Sequence, residues 1–160
     1  MIHFHDVNKS FGSKKVLNNL NIHIQKGKIT FVVGKSGEGK SVTLKHIVSL
    51  LKPDSGIIEV DGLNLSELDE RNLQKFRRKI GVLFQTAALF DSLSVEENIL
   101  FPLREHGYID ESFIKSRLDE VSDQLDLGNL LSKSTQELSI GEKKRVGLAR
   151  SMIHQPSILL

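Results

Sequence analysis

Residues 29–41 constrain the fold more than any other part of this chain. The apolar, largely β-branched run Ile29, Thr30, Phe31, Val32, Val33 leads directly into Gly34, Lys35, Ser36, Gly37, Glu38, Gly39, Lys40 and Ser41. Apolar residues at helical spacing, Leu44, Ile47, Val48 and Leu51, come next. The run suits a strand buried on both faces of a parallel sheet. The periodicity after it predicts a helix ended by Pro53 and Gly56. Between the two, glycines let successive backbone N–H groups wrap an anion without side-chain clash, and the helix adds its unpaired amides and positive dipole end. Glycine, four residues, then Gly-Lys-Ser is the spacing of a phosphate-binding loop. Lys40 is expected to reach the β- and γ-phosphates of a nucleotide, and Ser41 to place a hydroxyl on a bridging magnesium ion.

The surrounding sequence reads as one α/β domain with two lobes. Residues 17–24 alternate apolar Leu20, Ile22 and Ile24 with polar positions, the pattern of a half-buried strand, and are expected to pair with residues 2–7. Residues 8–15 read as a polar loop exposing one aromatic, Phe11. Short strands are predicted at 57–60 and 80–84, with a basic helix at 71–79 between them. Ser94 to Glu97 and Ser139 to Glu142 are capping boxes that open helices, and residues 111–125 carry an apolar face. The charge of +2, from 22 basic and 20 acidic residues, carries no case for nucleic acid. With no cysteine, thiolate metal sites and disulfides are excluded. His3 and His5 share a face of a predicted strand but lack an evident third ligand, so they read as solvent-facing. Arg71, Lys75, Arg77, Arg78 and Lys79 read as a solvated basic face.

The order of these motifs resembles the ATP-binding subunit of an ATP-binding cassette (ABC) transporter over nearly the whole chain. The resemblance implies a P-loop NTPase fold with an N-terminal antiparallel part, a parallel core sheet and a helical subdomain: core at residues 1–93, helical subdomain at about 94–140, signature helix and following strand at 141–160. It implies that Phe11 stacks on adenine, that residues 34–41 with Val42 hold ATP, and that Gln85 contacts magnesium alongside Ser41 and links to the membrane partner. Leu138, Ser139, Ile140, Gly141 and Glu142 resemble the signature that reaches a second subunit's γ-phosphate. Ile140 stands where the family usually has glycine and is expected to hinder that approach.

By the same resemblance the partners are transmembrane permease subunits and a second copy in an ATP-dependent head-to-tail dimer. The location is cytoplasmic, on the inner face of the cell membrane. Residues 78–85, 88–95 and 101–106 resemble the subunits of Mla/Mce-type lipid transport, implying a lipid cargo. Ser157, Ile158, Leu159 and Leu160 begin an apolar run that ends, in the family, in a magnesium-binding aspartate and a catalytic glutamate. A switch histidine lies further on. These 160 residues stop short of all three and are expected to turn over little ATP alone. The alternative reading is a truncated or non-hydrolysing nucleotide-binding protein.

Overall fold

The first hairpin is longer than the alternation indicates. In the computed structural model, which describes all 160 residues, β1 (Ile2–Phe11) and β2 (Lys14–Ile24) run antiparallel, joined only by Gly12 and Ser13. The expected loop at 8–15 is therefore almost entirely strand. Its polar side chains lie on a solvent-facing ladder, and Gly12 makes the tight turn at φ 58°, where glycine meets no Cβ penalty. Register shifts interrupt the ladder between Phe4 and Ser10. Polar side chains bridge that irregularity: Asn21 Nδ2 donates to Asp6 Oδ1 at 2.9 Å, and the Asn19 amide donates to Asn8 Oδ1 at 2.9 Å.

The chain divides into two compact units, Met1–Arg77 and Arg78–Leu160. In the first, β3 (Ser55–Val60) takes the other edge of β1 and β4 (Leu63–Asn64) follows, giving the antiparallel order β2-β1-β3-β4. One face of this sheet buries Ile2, Phe4, Val7, Leu17, Ile58 and Val60. Helix α1 (Lys40–Ile47) ends sooner than Pro53 requires, because Ser49 turns left-handed at φ 53°. Helix α2 (Glu70–Arg77) supplies the reason that end is stable. Arg77 donates to Val48 O at 3.3 Å and Ser49 O at 3.0 Å while pairing with Glu70 at 2.8 Å. It satisfies carbonyls that a helix C-terminus leaves open, so it is a cap and not part of a solvated basic face.

The run at 29–33 is the main departure from expectation. It belongs to neither sheet, and Ile29, Phe31 and Val33 are 87%, 83% and 85% exposed. A strand exists only through ladder hydrogen bonds to a neighbour, and no segment pairs with this run. Apolar, β-branched composition does not replace a partner.

In the second unit β5 (Ile80–Gly81) lies parallel to β6 (Ile158–Leu159). The ladder continues where Leu160 N donates to Gly81 O and Leu83 N donates to Leu160 O. The regular strand covers only Ile80–Gly81 of the expected 80–84, ladder hydrogen bonds reach Leu83, and Phe84 is 52% exposed. Helices α3 (Val95–Glu105), α4 (Glu111–Leu125) and α5 (Ile140–Met152) meet over Val95, Ile99, Leu103, Val121, Val146 and Ala149. Both predicted capping boxes form, and Asp110 caps α4 through the amides of Ser112 and Phe113.

Asn98 is fully buried within this unit. Its side chain accepts from the Phe90 amide at 2.8 Å and donates to the carbonyls of Phe90, Leu93 and Ser94. Removing it takes the partner from part-buried backbone groups of Phe90, Leu93 and Ser94 and leaves a cavity where a fully buried side chain stood. Asn98→Ala is expected to lower unfolding free energy by about 2–3 kcal/mol, read from the urea midpoint.

Candidate functional site

The glycine-rich loop is shaped by what its residues lack. Gly39 sits at φ 91°, and a Cβ there would meet Leu17 Cδ2 at 2.8 Å and the Val16 carbonyl oxygen at 3.2 Å. Only glycine allows both the left-handed turn and this approach to β2. Helix α1 starts at the next residue with no side-chain cap and no acidic residue in its first turn. Its leading amides and positive dipole end are therefore open to an external anion.

Lys40 folds back over the loop, its Nζ donating to Gly34 O and Lys35 O, both at 2.6 Å. Glu38 turns inward, its Oε2 accepting from the Lys35 amide at 2.7 Å. A carboxylate thus holds one of the loop amides that an anion would use. Ser36, Gly37 and Ser41 are exposed, and Val42, on the first turn of α1, is half-buried. Phe11 ends β1 instead of lying in a loop. Its ring is 48% exposed with Lys9 Nζ 5.7 Å from its centroid.

In the second unit Gln85 opens the exposed turn after β5. Ala87 and Ala88 in that turn hold left-handed backbone, φ 60° and 48°, a conformation that costs a residue with a Cβ. Arg150 on α5 holds it in place, donating to Ala87 O at 2.6 Å and Ala88 O at 2.8 Å. Gly147, one turn earlier, lets α5 approach: a Cβ there would stand 2.8 Å from Ala87 Cβ. Sequence reasoning missed this clamp. No local signal connects Arg150 with residues more than sixty positions earlier.

At the head of α5, Ser139 Oγ accepts from the Glu142 amide at 3.3 Å and Glu142 Oε2 accepts from the Ser139 amide at 2.7 Å. Hydrogen bonds from Ser139 hold the Glu142 carboxyl below the usual carboxylate range. Ile140 is 77% exposed, and nothing lies within 4 Å of a Cβ built on Gly141. Local packing therefore leaves the glycine unexplained.

Residues 17–160 match the family described as ABC transporter. The chain belongs to the ABC transporter ATP-binding family. It is 41% identical over 160 residues to the methionine import ATP-binding protein MetN of Legionella pneumophila (strain Paris), covering 100% of this chain and 47% of that protein. It is 40% identical over 152 residues to the probable ribonucleotide transport ATP-binding protein mkl of Mycobacterium leprae (strain TN), covering 95% and 44%. The lipoprotein-releasing system ATP-binding protein LolD of Bacteroides fragilis (strain YCH46) is 38% identical over 161 residues, covering 100% and 74%. The chain thus spans about half the length of the first two relatives. The ATP-binding cassette MJ0796, solved as a dimer in a post-hydrolysis state with ADP and Pi, superposes with a TM-score of 0.88 at 31% identity, covering 99% of this chain and 72% of that one. This ABC ATPase likeness establishes the P-loop fold, although the parallel sheet of this chain holds only the β5–β6 pair.

The second unit of this ABC chain also holds a cleft of about 530 Å³ whose walls include Phe84, Phe90, Phe101, His106, Arg150 and His154. The rings of His106 and His154 meet edge to face at 5.1 Å, and neither nitrogen of His154 has a well-formed hydrogen bond. Burial holds both imidazoles below the ordinary 6.5, and for His106 the positive charges of His154 and Arg78 add to the effect. A base whose folded pKa is lowered leaves the unfolded chain to take up protons first, so its stabilising contribution is complete above the unfolded pKa and declines as pH falls through it. Urea midpoints are expected to drop between about pH 7.5 and pH 5.5, and His154→Phe to reduce that drop.

Proposed function

We propose that the chain is the nucleotide-binding part of an ATP-driven transport subunit. The observation that carries this reading is the uncapped first turn of α1 behind residues 34–41, beside an ammonium satisfied only by loop carbonyls. This donor set fits a polyphosphate: backbone amides for the bridging oxygens, Lys40 for the β- and γ-phosphates, and the exposed Ser41 hydroxyl for magnesium. Lys40 exchanges the carbonyls of Gly34 and Lys35 for phosphate oxygens of greater charge. Magnesium would supply charge neutralisation at the phosphates, and Ser41 is the residue of the first unit that would hold it. Phe11, exposed at the end of its strand, offers a face for adenine.

At the head of α5, the Ser139 hydroxyl and the Gly141 amide are the groups we assign to the γ-phosphate held by a second copy. The open space around Gly141 supports that assignment. Ile140 and Glu142 flank the approach with bulk and negative charge, and both weaken closure relative to glycine and a neutral side chain at these positions. We assign the cleft beside the Gln85 turn to a permease segment, because its walls combine exposed aromatics with the Arg150 guanidinium. That contact would place the chain on the inner face of a membrane. None of its own helices is long and apolar enough to cross one. The relatives named above carry names for methionine, ribonucleotide and lipoprotein traffic. A lipid or lipid-linked cargo is our finer reading, supported by the segment at 101–106 and by the likeness to LolD.

Titration with a fluorescent ATP analogue in magnesium buffer tests the site. Lys40→Ala is expected to weaken binding by about 10–100-fold, the value of one charge-assisted contact. Glu38→Gln is expected to tighten it by about 2–5-fold, since it removes a negative charge from an anion-binding loop. Equal affinity in the wild-type chain and Lys40→Ala would overturn the reading.

A further inference from the structure

His3 and His5 lacked a third ligand in the sequence, and the sheet supplies one. His3 stands directly opposite His23 on β2 and directly opposite Glu59 on β3, while His5 follows two residues along β1 on the same face. The buried neighbours Ile2 and Phe4 fix which face this is, because a one-residue slip would drive the histidines into the core. The three rings form a ladder, with centroids 4.4 Å apart for His3 and His23 and 5.7 Å for His3 and His5. His5 Nε2 lies 3.7 Å from Glu59 Oε2. No directly paired position around them, Ile57 and Asn64 included, carries a lysine or arginine.

We propose that His3, His5 and His23 form a binding site for a divalent transition metal of the zinc class on the open face of the first sheet, with Glu59 as the adjoining carboxylate. In the structure the His3 ring stacks on those of His5 and His23, at interplanar angles of 2° and 29°, and as placed no three of these side chains converge to hold a metal ion. Convergence needs only side-chain rotation: His5 and His23 are exposed, and exposed side chains change rotamer within picoseconds to nanoseconds. The backbone contributes what rotation cannot: it sets three imidazoles from two adjacent strands side by side on one face, and zinc takes such nitrogens at about 2.0–2.1 Å. Imidazole with a carboxylate selects zinc, copper or nickel over magnesium, which prefers oxygen ligands. The site is therefore chemically distinct from the phosphate loop. A bound ion would fasten β1 to β2 and, through Glu59, to β3.

The test is zinc binding to the untagged chain without nucleotide, by equilibrium dialysis and calorimetry at about pH 7.5 and about pH 5.5. One equivalent of zinc is expected at the higher pH, with weaker uptake at the lower, where protons compete for the imidazoles. His3→Asn and His23→Asn should each weaken binding by about 10–100-fold or more, taking the loss of a supporting group as the lower bound. Lys40→Ala and His106→Gln should leave it unchanged. In NMR spectra zinc should shift the imidazole signals of His3, His5 and His23 and spare those of His46, His106 and His154. Circular dichroism confirms that each variant is folded. The proposal is overturned by no zinc uptake at about tenfold excess of metal, by undiminished binding in the folded His3→Asn/His23→Asn double variant, or by shifts confined to the other three histidines.

Discussion

Every α-helix begins with amide groups that its own carbonyls cannot reach, and the way this chain satisfies them separates its structural helices from its candidate functional one. Helices α3, α4 and α5 each close their first turn with side chains: Ser94 with Glu97, Asp110, and Ser139 with Glu142. Helix α1 receives no side-chain cap after its left-handed Gly39 and carries no acid in its first turn. The same physical demand is met inside the protein at α3, α4 and α5, and at α2 by Asp69 accepting from the Asn72 amide, and is left open at α1. The head of α5 is intermediate, because its capping box uses the Ser139 and Glu142 amides while Gly141 stays open to solvent.

The loop can keep that end free because β2 holds it from behind. Gly39 packs against Val16 and Leu17 more closely than any side chain would allow, so the start of α1 is seated on the hairpin. Arg77 then fastens the far end of α1 through the carbonyls of Val48 and Ser49. A short helix is marginal by its own hydrogen bonds. Here both ends are held by groups distant in sequence, which fixes the direction of its dipole.

In the second unit, backbone strain and burial gather around one turn. Ala87 and Ala88 adopt left-handed backbone that is held by Arg150, and Gly147 removes the side chain that would block the approach. The Arg150 guanidinium also lies 5.8 Å from the Phe90 ring, so one charged group on α5 joins the Gln85 turn to the aromatic wall of the cleft. Displacement of that turn would break charge-assisted bonds. This gives a physical path by which contact at the cleft could reach α5.

The sequence by itself determined the elements whose signals are local. The phosphate-loop spacing, both capping boxes, the apolar face at 111–125 and the pairing of β1 with β2 were all legible, because turn chemistry, caps and periodicity act within a few residues. Tertiary structure decided the rest. Residues 29–33 read as a buried strand and are exposed, since a strand depends on a neighbour that composition cannot supply. Arg77 read as part of a solvated basic face and is a clamp, and Arg150, which no local signal singled out, is another, since a long side chain takes its role from the carbonyls the fold brings to it. His3 and His5 read as solvent-facing, and only the register of the sheet sets His23 and Glu59 opposite His3. Spacing along the chain carries what neighbours in sequence do to each other. What distant residues do depends on strand register and helix packing, which no single segment encodes.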